Sequence, residues 1–198
     1  MTIENIIYGK KDVTIVTELG SYPLDSDVFV LSRIKKGDEI DDSFLAEILI
    51  ESENVSCKKY LYEQIDRYSK TKKGYYDKLR SKGFSKNSAE LAIKHAAERG
   101  YIDDNRFAER FYEKYRGKKG ITRIKNELSA KGIDKTVLSF LDEETENVEE
   151  VLKLAEKFMK RREKTPDEKV KLLRHLSAKG FSFDVSKRAA DEIFRSLD

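Results

Sequence analysis

The sequence predicts a mostly α fold: three tandem three-helix repeats in an elongated curved array, preceded by a small N-terminal region of β-hairpin and short helix. Three observations predict it. A six-residue segment recurs as LRSKGF at 79–84, LSAKGI at 128–133 and LSAKGF at 176–181, with its leucines 49 and then 48 residues apart; a fixed spacing of that size is a structural repeat. Apolar residues around each copy follow the i, i+3, i+4, i+7 spacing of amphipathic helices. Proline occurs only at Pro23 and Pro166, so helices run with little interruption. Hydrophobic residues make up 38% and charged residues 39%, a lean core that suits small helical units better than one thick globule.

The repeated segment is a helix corner. Leu79, Leu128 and Leu176 sit on the last buried turn of a helix, and the lysine near its end favours the negative pole of the helix dipole. Gly83, Gly132 and Gly180 supply the left-handed residue that ends the helix, and the apolar residue after each makes the contact that accompanies such a stop. Ser85, Asp134 and Ser182 then N-cap the next helix.

A first helix lies upstream of each corner. In the first repeat its stripe is Leu49, Cys57, Tyr60, Leu61, Ile65 and Tyr68. In the second it is Phe107, Ala108, Phe111, Tyr112 and Tyr115, and in the third Val151, Leu154, Ala155, Phe158 and Met159. The third helices carry Ala92, Ile93 and Ala96, then Val137, Leu138 and Leu141, then Ala189, Ala190, Ile193 and Phe194. The expected divisions are an N-terminal region 1–47 and repeats 48–103, 104–146 and 147–198. Within 1–47, Ile3–Tyr8 and Asp12–Glu18 are β-prone runs joined at Gly9. Tyr22-Pro23 ends that hairpin, Asp25 or Ser26 caps a short helix over Val28–Ile34 that stops at Lys36-Gly37, and Asp41 or Asp42 starts a long helix.

Several functions are disfavoured. Cys57 is the single cysteine, so no internal disulfide forms, and a reducing cytoplasm is expected. The N-terminus lacks the pattern of a signal peptide, and no apolar run approaches bilayer length. His95 and His175 lie on different helices and make no zinc pattern with Cys57. Gly117-Lys118-Lys119-Gly120 lacks the Walker spacing. Asp103-Asp104 resembles a magnesium pair, but it directly precedes a helix, where a cap and negative charge belong. No catalytic residue, cofactor or metal is expected, and the chain is read as a non-enzyme.

Charge is uneven. Residues 1–65 carry 7 basic against 13 acidic side chains, while the remainder carries 33 against 24. The connection between first and second helices is basic in every repeat: Lys70, Lys72 and Lys73 before the first corner helix, then Arg116, Lys118 and Lys119, then Arg161, Arg162 and Lys164. Arg123, Lys125 and Lys131 continue the charge in the middle repeat. Such residues bind phosphates without sequence preference, dock on acidic protein patches, or serve solubility alone. Tyr75, Tyr76 and Tyr101 are weaker candidates for base stacking, Tyr101 being expected to pack in its corner.

The chain resembles the RecX family. The stretch 99–108, RGYIDDNRFA, resembles that family's most characteristic motif, through Gly100, Tyr101, Asp103, Asp104, Phe107 and Ala108. The stretch 119–133, KGITRIKNELSAKGI, is similar to its second signature, with Gly120 at the start and Gly132 at the end. The order, spacing and triple repeat also match, over nearly the whole chain. The first repeat departs at Lys72-Lys73-Gly74, where a serine or threonine cap is more typical. The resemblance implies a regulator that binds the RecA recombinase filament on single-stranded DNA and mostly inhibits its ATPase, strand-exchange and coprotease activities. The expected partners are that filament and single-stranded DNA, directly or within it, with no membrane partner, and the chain is expected to be a monomer. The alternative is a stand-alone nucleic-acid-binding protein of helix-turn-helix-like repeats, although the apolar third helix around Val137–Leu141 suits groove reading poorly. A helical scaffold that binds only protein is a third reading.

Overall fold

The computed structural model describes residues 1–195; the expected third repeat's last three positions, 196–198, lie outside them. The chain forms two compact units, one from Met1 to Ile102 and one from Asp103 onward. No helix among the described residues is long and apolar enough to cross a membrane.

The first unit opens with a three-stranded antiparallel sheet, β1 (Ile3–Tyr8), β2 (Asp12–Thr17) and β3 (Gly20–Asp25), in the order β1-β2-β3. The hairpin expectation missed β3. Pro23 does not end the region but lies within this strand, opposite Thr14. β3 pairs on one side only, and an edge strand tolerates a residue without an N–H. Helix α1 (Ser26–Ser32) is capped by Asp25 and ends at Arg33, whose φ of 57° is left-handed, rather than at Lys36-Gly37. Gly37 instead donates its N–H to Ile3 O, tying the loop to β1. Alternating Val13 and Ile15 join Ile3, Leu24, Phe29 and Ile34 in a core completed by Leu45 and Ile48.

Leu45 and Ile48 belong to α2 (Asp42–Arg67), which starts at Asp41, whose carboxylate accepts the Phe44 N–H at 2.7 Å. The helix runs unbroken across the division expected at 47/48. Its first half covers the sheet, and its second half, through Cys57 and Leu61, enters the core of the first repeat. Of the residues assigned to that repeat's stripe, Leu49 packs on the sheet core and Tyr68, the C-cap, is 57% exposed. Asp25 fastens α2 from the other side, since its buried carboxylate takes the Lys59 ammonium at 2.7 and 2.9 Å.

Helices α3 (Lys72–Lys82) and α4 (Lys86–Glu98) complete the first repeat. The N-cap of α3 is Thr71, whose hydroxyl accepts the Gly74 N–H at 3.0 Å. The threonine cap typical of the corner helix is thus present one residue before the lysines.

The second unit holds two more repeats. The middle one is α5 (Asp104–Tyr115), α6 (Ile121–Ala130) and two short helices, α7 (Lys135–Leu138) and α8 (Phe140–Glu143). The single third helix expected there is divided at Ser139, whose hydroxyl bonds back to Thr136 O at 2.7 Å, a contact that bends helices. The last is α9 (Val148–Met159), α10 (Pro166–Ala178) and α11 (Phe183–Phe194). Each repeat has its own core, centred on Leu79, Leu128 and Leu176 respectively.

The corners form as the sequence predicts. The residue after the glycine returns its N–H to the leucine carbonyl: Phe84 to Leu79 at 3.3 Å, Ile133 to Leu128 at 3.1 Å and Phe181 to Leu176 at 3.2 Å. The glycine itself has positive φ, 81° at Gly132. Ser85, Asp134 and Ser182 cap the following helices. Tyr101 and Ala96 make a fourth such turn at Gly100. Because a β-branched residue is costly in the left-handed region, Gly132→Val should lose roughly 2 kcal/mol. A chain of this size then melts about 4–8 °C lower, as circular dichroism would record; an unchanged melting curve contradicts the corner geometry.

Candidate functional site

The basic connections occupy equivalent places in the three repeats, yet their side chains differ in what they already hold. In the first repeat Lys70 precedes α3, with its ammonium 5.9 Å from the Tyr68 ring centre. Lys72 and Lys73 are not in the loop as expected but in the first turn of α3, where both are exposed. In the third repeat Arg161, Arg162 and Lys164 are exposed between α9 and α10. Arg162 lies over the Phe158 ring at 4.2 Å and pairs with Glu168 at 2.9 Å.

The middle repeat is the most engaged. Arg116 pairs with Glu113 at 3.3 Å and lies 3.7 Å from Glu150. Lys118 is exposed and donates to Lys114 O at 3.2 Å. The Lys119 side chain is only 22% exposed, with its ammonium on Glu127 and 4.0 Å from the Tyr115 ring centre. Arg123 holds the other Glu127 oxygen at 3.0 Å, Lys125 holds Asp142, and exposed Lys131 reaches within 5.9 Å of the Phe111 ring centre. Hydrogen bonds from Lys119 and then Arg123 keep the Glu127 carboxyl below its ordinary pKa. Lys119, Arg123 and Lys125 therefore serve the middle repeat itself, while Lys118 and Arg161 present charge outward.

Arg123 also joins the second and third repeats, together with Gly120 and Glu146. Helix α6 begins at Gly120 without a side-chain cap. Instead, the Glu146 carboxylate, from the loop before α9, accepts the Ile121 N–H at 2.9 Å and the Ser182 N–H at 2.8 Å. One acid thus meets the positive ends of two helices, α6 and α11. Gly120 donates its N–H to Lys179 O at 2.9 Å, and Arg123 donates to Ala178 O at 3.1 Å. Gly120 touches backbone so closely that an added Cβ would lie 2.0 Å from the Gly180 carbonyl. Its φ of −70° is ordinary, so glycine is needed there for the close approach. A polar cavity of about 340 Å³ beside this junction is lined by Arg116, Lys119, Glu144 and Glu150, and Tyr112 donates its hydroxyl to Glu144 at 2.8 Å.

The remaining motif residues have structural roles. Asp103 is the N-cap of α5, accepting from Asn105 and Arg106 at 2.9 and 3.1 Å, and Asp104 sits in the first turn. Phe107 stacks on Phe111 at 6.2 Å. Tyr101, expected to pack in its corner, is 58% exposed and touches the Tyr62 ring at 5.2 Å, edge to face. Of the other tyrosines, Tyr75 is buried and Tyr76 half-buried. His95 hydrogen-bonds the Tyr62 hydroxyl at 3.0 Å, and His175 stacks on Phe158. Sequence reasoning missed Thr71 and Glu146. Thr71 carries a local signal, three residues before Gly74 in the pattern of a cap; Glu146 sits in an acidic run with nothing local to mark it.

These features define a class: a tandem three-helix-repeat protein behind a small sheet, with basic first connections and close glycine contacts between its last two repeats. Family models match in the same place, RecX second three-helix domain at residues 103–139 and RecX third three-helix domain at 144–189. Regulatory protein RecX of Clostridium perfringens (strain 13) is 30% identical over 177 residues, covering 85% of this chain and 83% of that one. Its counterpart in Clostridium tetani is 31% identical over 172 residues, covering 83% and 79%. The chain belongs to the RecX family. A crystal structure of regulatory protein RecX superposes with a TM-score of 0.71 at 22% identity, covering 98% of both chains. That of RecX from Lactobacillus salivarius gives 0.63 at 26% identity, covering 71% of this chain and 96% of the other.

Two measurements test the site's architecture. Gly120→Ala should lower the melting temperature and speed amide exchange at Gly120, Ile121 and Ser182; exchange indistinguishable from the parent chain would refute the close contact. The second concerns His175, whose pKa burial lowers, with Lys179 and Arg162 adding to the effect. The unfolded chain then binds the proton more readily than the folded one, so this group's contribution is complete above the ordinary histidine value of about 6.5 and is lost as pH falls below it. An NMR titration should find His175 protonating at a lower pH than free histidine, and a normal or raised value would contradict the packing against Phe158.

Proposed function

We propose that this protein binds the RecA recombinase filament assembled on single-stranded DNA and modulates it, mostly by inhibiting ATP hydrolysis, strand exchange and coprotease activity. In this reading it is a cytoplasmic monomer without catalytic chemistry of its own. The observation that carries the reading is that every three-helix repeat has basic residues in its first connection or in the first turn of the helix that follows, in a chain of the RecX family. Such positions favour a partner that repeats along its length and carries negative charge, as a filament on DNA does. Inhibition then follows from differential binding: a regulator that held all filament states equally would change none of them.

Within this reading Lys118, Arg161, Lys72 and Lys73 are the contact residues, with Lys70, Arg116, Arg162, Lys164 and Lys131 beside them. Lys119, Arg123 and Lys125, which also hold Glu127 and Asp142, are the secondary contacts.

The test is RecA's single-stranded-DNA-dependent ATP hydrolysis, titrated with this protein at two salt concentrations. Inhibition well below one copy per recombinase monomer is expected. Charge reversal at Lys118 and Arg161 together should weaken it and flatten its salt dependence while leaving helicity unchanged. Salt-sensitive binding to bare DNA with no effect on the recombinase would favour the stand-alone nucleic-acid reading instead.

A further inference from the structure

The outer edge of β1 is closed only at its start. There Ile3 donates to Asp38 O at 2.9 Å and accepts from Gly37 at 2.8 Å, beside the bridge between Thr2 and Glu39. Beyond Ile3 no strand among the described residues pairs with this edge. The stretch left open is Ile6-Ile7-Tyr8, with Ile7 54% and Tyr8 71% exposed. Proline or charge commonly blunts an open strand edge. The opposite edge, β3, carries Pro23, whereas this stretch carries neither. The hydrogen bonds of the hairpin decide which of its residues point outward. Gly9 donates to Asp12 O at 2.8 Å, and Ile6, Ile7 and Tyr8 lie opposite Ile15, Thr14 and Val13. Bonded and non-bonded pairs alternate along an antiparallel ladder. Ile7 therefore bonds to β2, while Ile6 and Tyr8 turn their N–H and C=O groups to the open side.

We propose that this edge pairs antiparallel with the β1 edge of a second copy of the chain, joining two three-stranded sheets into one of six strands. The edge is complementary to itself. When Ile6 exchanges backbone hydrogen bonds with the partner's Tyr8, and Tyr8 with the partner's Ile6, Ile7 falls opposite itself on the twofold axis. That is a non-bonded pair, with Cα atoms about 4.5 Å apart and side chains at their closest. The same register brings Glu4 of each copy opposite Lys10 of the other. Both are exposed, and neither makes an ion pair among the described residues. An unrelated strand would gain the backbone bonds without the two Glu4–Lys10 pairs or the isoleucine contact. A ladder this short lies well below the ~1,600 Å² of a standard stable interface. Pairing therefore needs concentrated protein, and the monomer of the proposed function is the dilute form. The inference goes beyond that function and does not depend on it.

Sedimentation equilibrium of the full chain tests the pairing. The average mass should rise from one chain toward two as concentration climbs from micromolar to millimolar. Ile7→Lys sets like charges opposite each other at an exposed position and leaves the core intact. It should weaken association about tenfold or more, with helicity unchanged. Cysteine variants then read the register. Ile7→Cys should form an intermolecular disulfide under mild oxidant, because the paired Cα atoms fall within the span of about 4.4–6.8 Å that a disulfide bridges. Asn5→Cys, on the same face of the strand, should not, since this register leaves it about 13 Å from its counterpart. Native Cys57 stays out of the reaction: it is buried, and burial pushes its pKa up to about 11. A mass of one chain throughout, association that Ile7→Lys leaves intact, no crosslink at position 7, or equal crosslinking at positions 5 and 7 would each overturn the proposal.

Discussion

The left-handed glycine after each leucine is the constraint on which the rest of this protein depends. It stops one helix, returns the next N–H to the leucine carbonyl, and aims the chain into a capped third helix. The leucine is thereby held at the centre of each three-helix core, where Leu79, Leu128 and Leu176 are fully buried. Packing and turn geometry reinforce one another here. The apolar residue beyond the glycine, Ile133 or Phe181, closes the same core that the leucine opens.

The last corner has a second use. The carbonyls ending α10, at Ala178 and Lys179, accept from Arg123 and Gly120 of the preceding repeat, and the helix dipole makes them good acceptors for a guanidinium. Glu146 completes the junction at the opposite helix poles. Charge in the middle repeat is thus taken up twice, by Glu127 and Asp142 within the repeat and by the Ala178 carbonyl across the junction. A lysine or arginine count alone overstates what that repeat offers a partner, because Glu127 and Asp142 neutralise side chains that the sequence leaves unmatched.

What was legible follows from range. The corners, and the caps at Asp103, Ser85, Asp134 and Ser182, depend on residues a few positions apart, so they could be read from spacing. The third strand escaped because Pro23 reads as a terminator, and only its edge position makes it harmless. Ser139 divides the third helix of the middle repeat through a hydroxyl contact that spacing does not reveal. Glu146 reaches 25 and 36 residues away, and Arg123 reaches 55; no local pattern records such partners. Tyr101 is exposed apart from its edge-to-face contact with Tyr62, a distant partner that spacing does not mark either.

Helix α2 has a consequence for how the first unit comes apart. Its 26 residues span about 39 Å at 1.5 Å per residue, and one rod supplies Leu45 and Ile48 to the sheet core and Cys57 and Leu61 to the first three-helix core. Fraying it from either end uncovers apolar surface in a neighbour, so the two cores share one cooperative unfolding event rather than melting as separate foldons. The acidic N-terminal region is therefore not a detachable appendage: cutting the chain within α2 would cost both halves their lids.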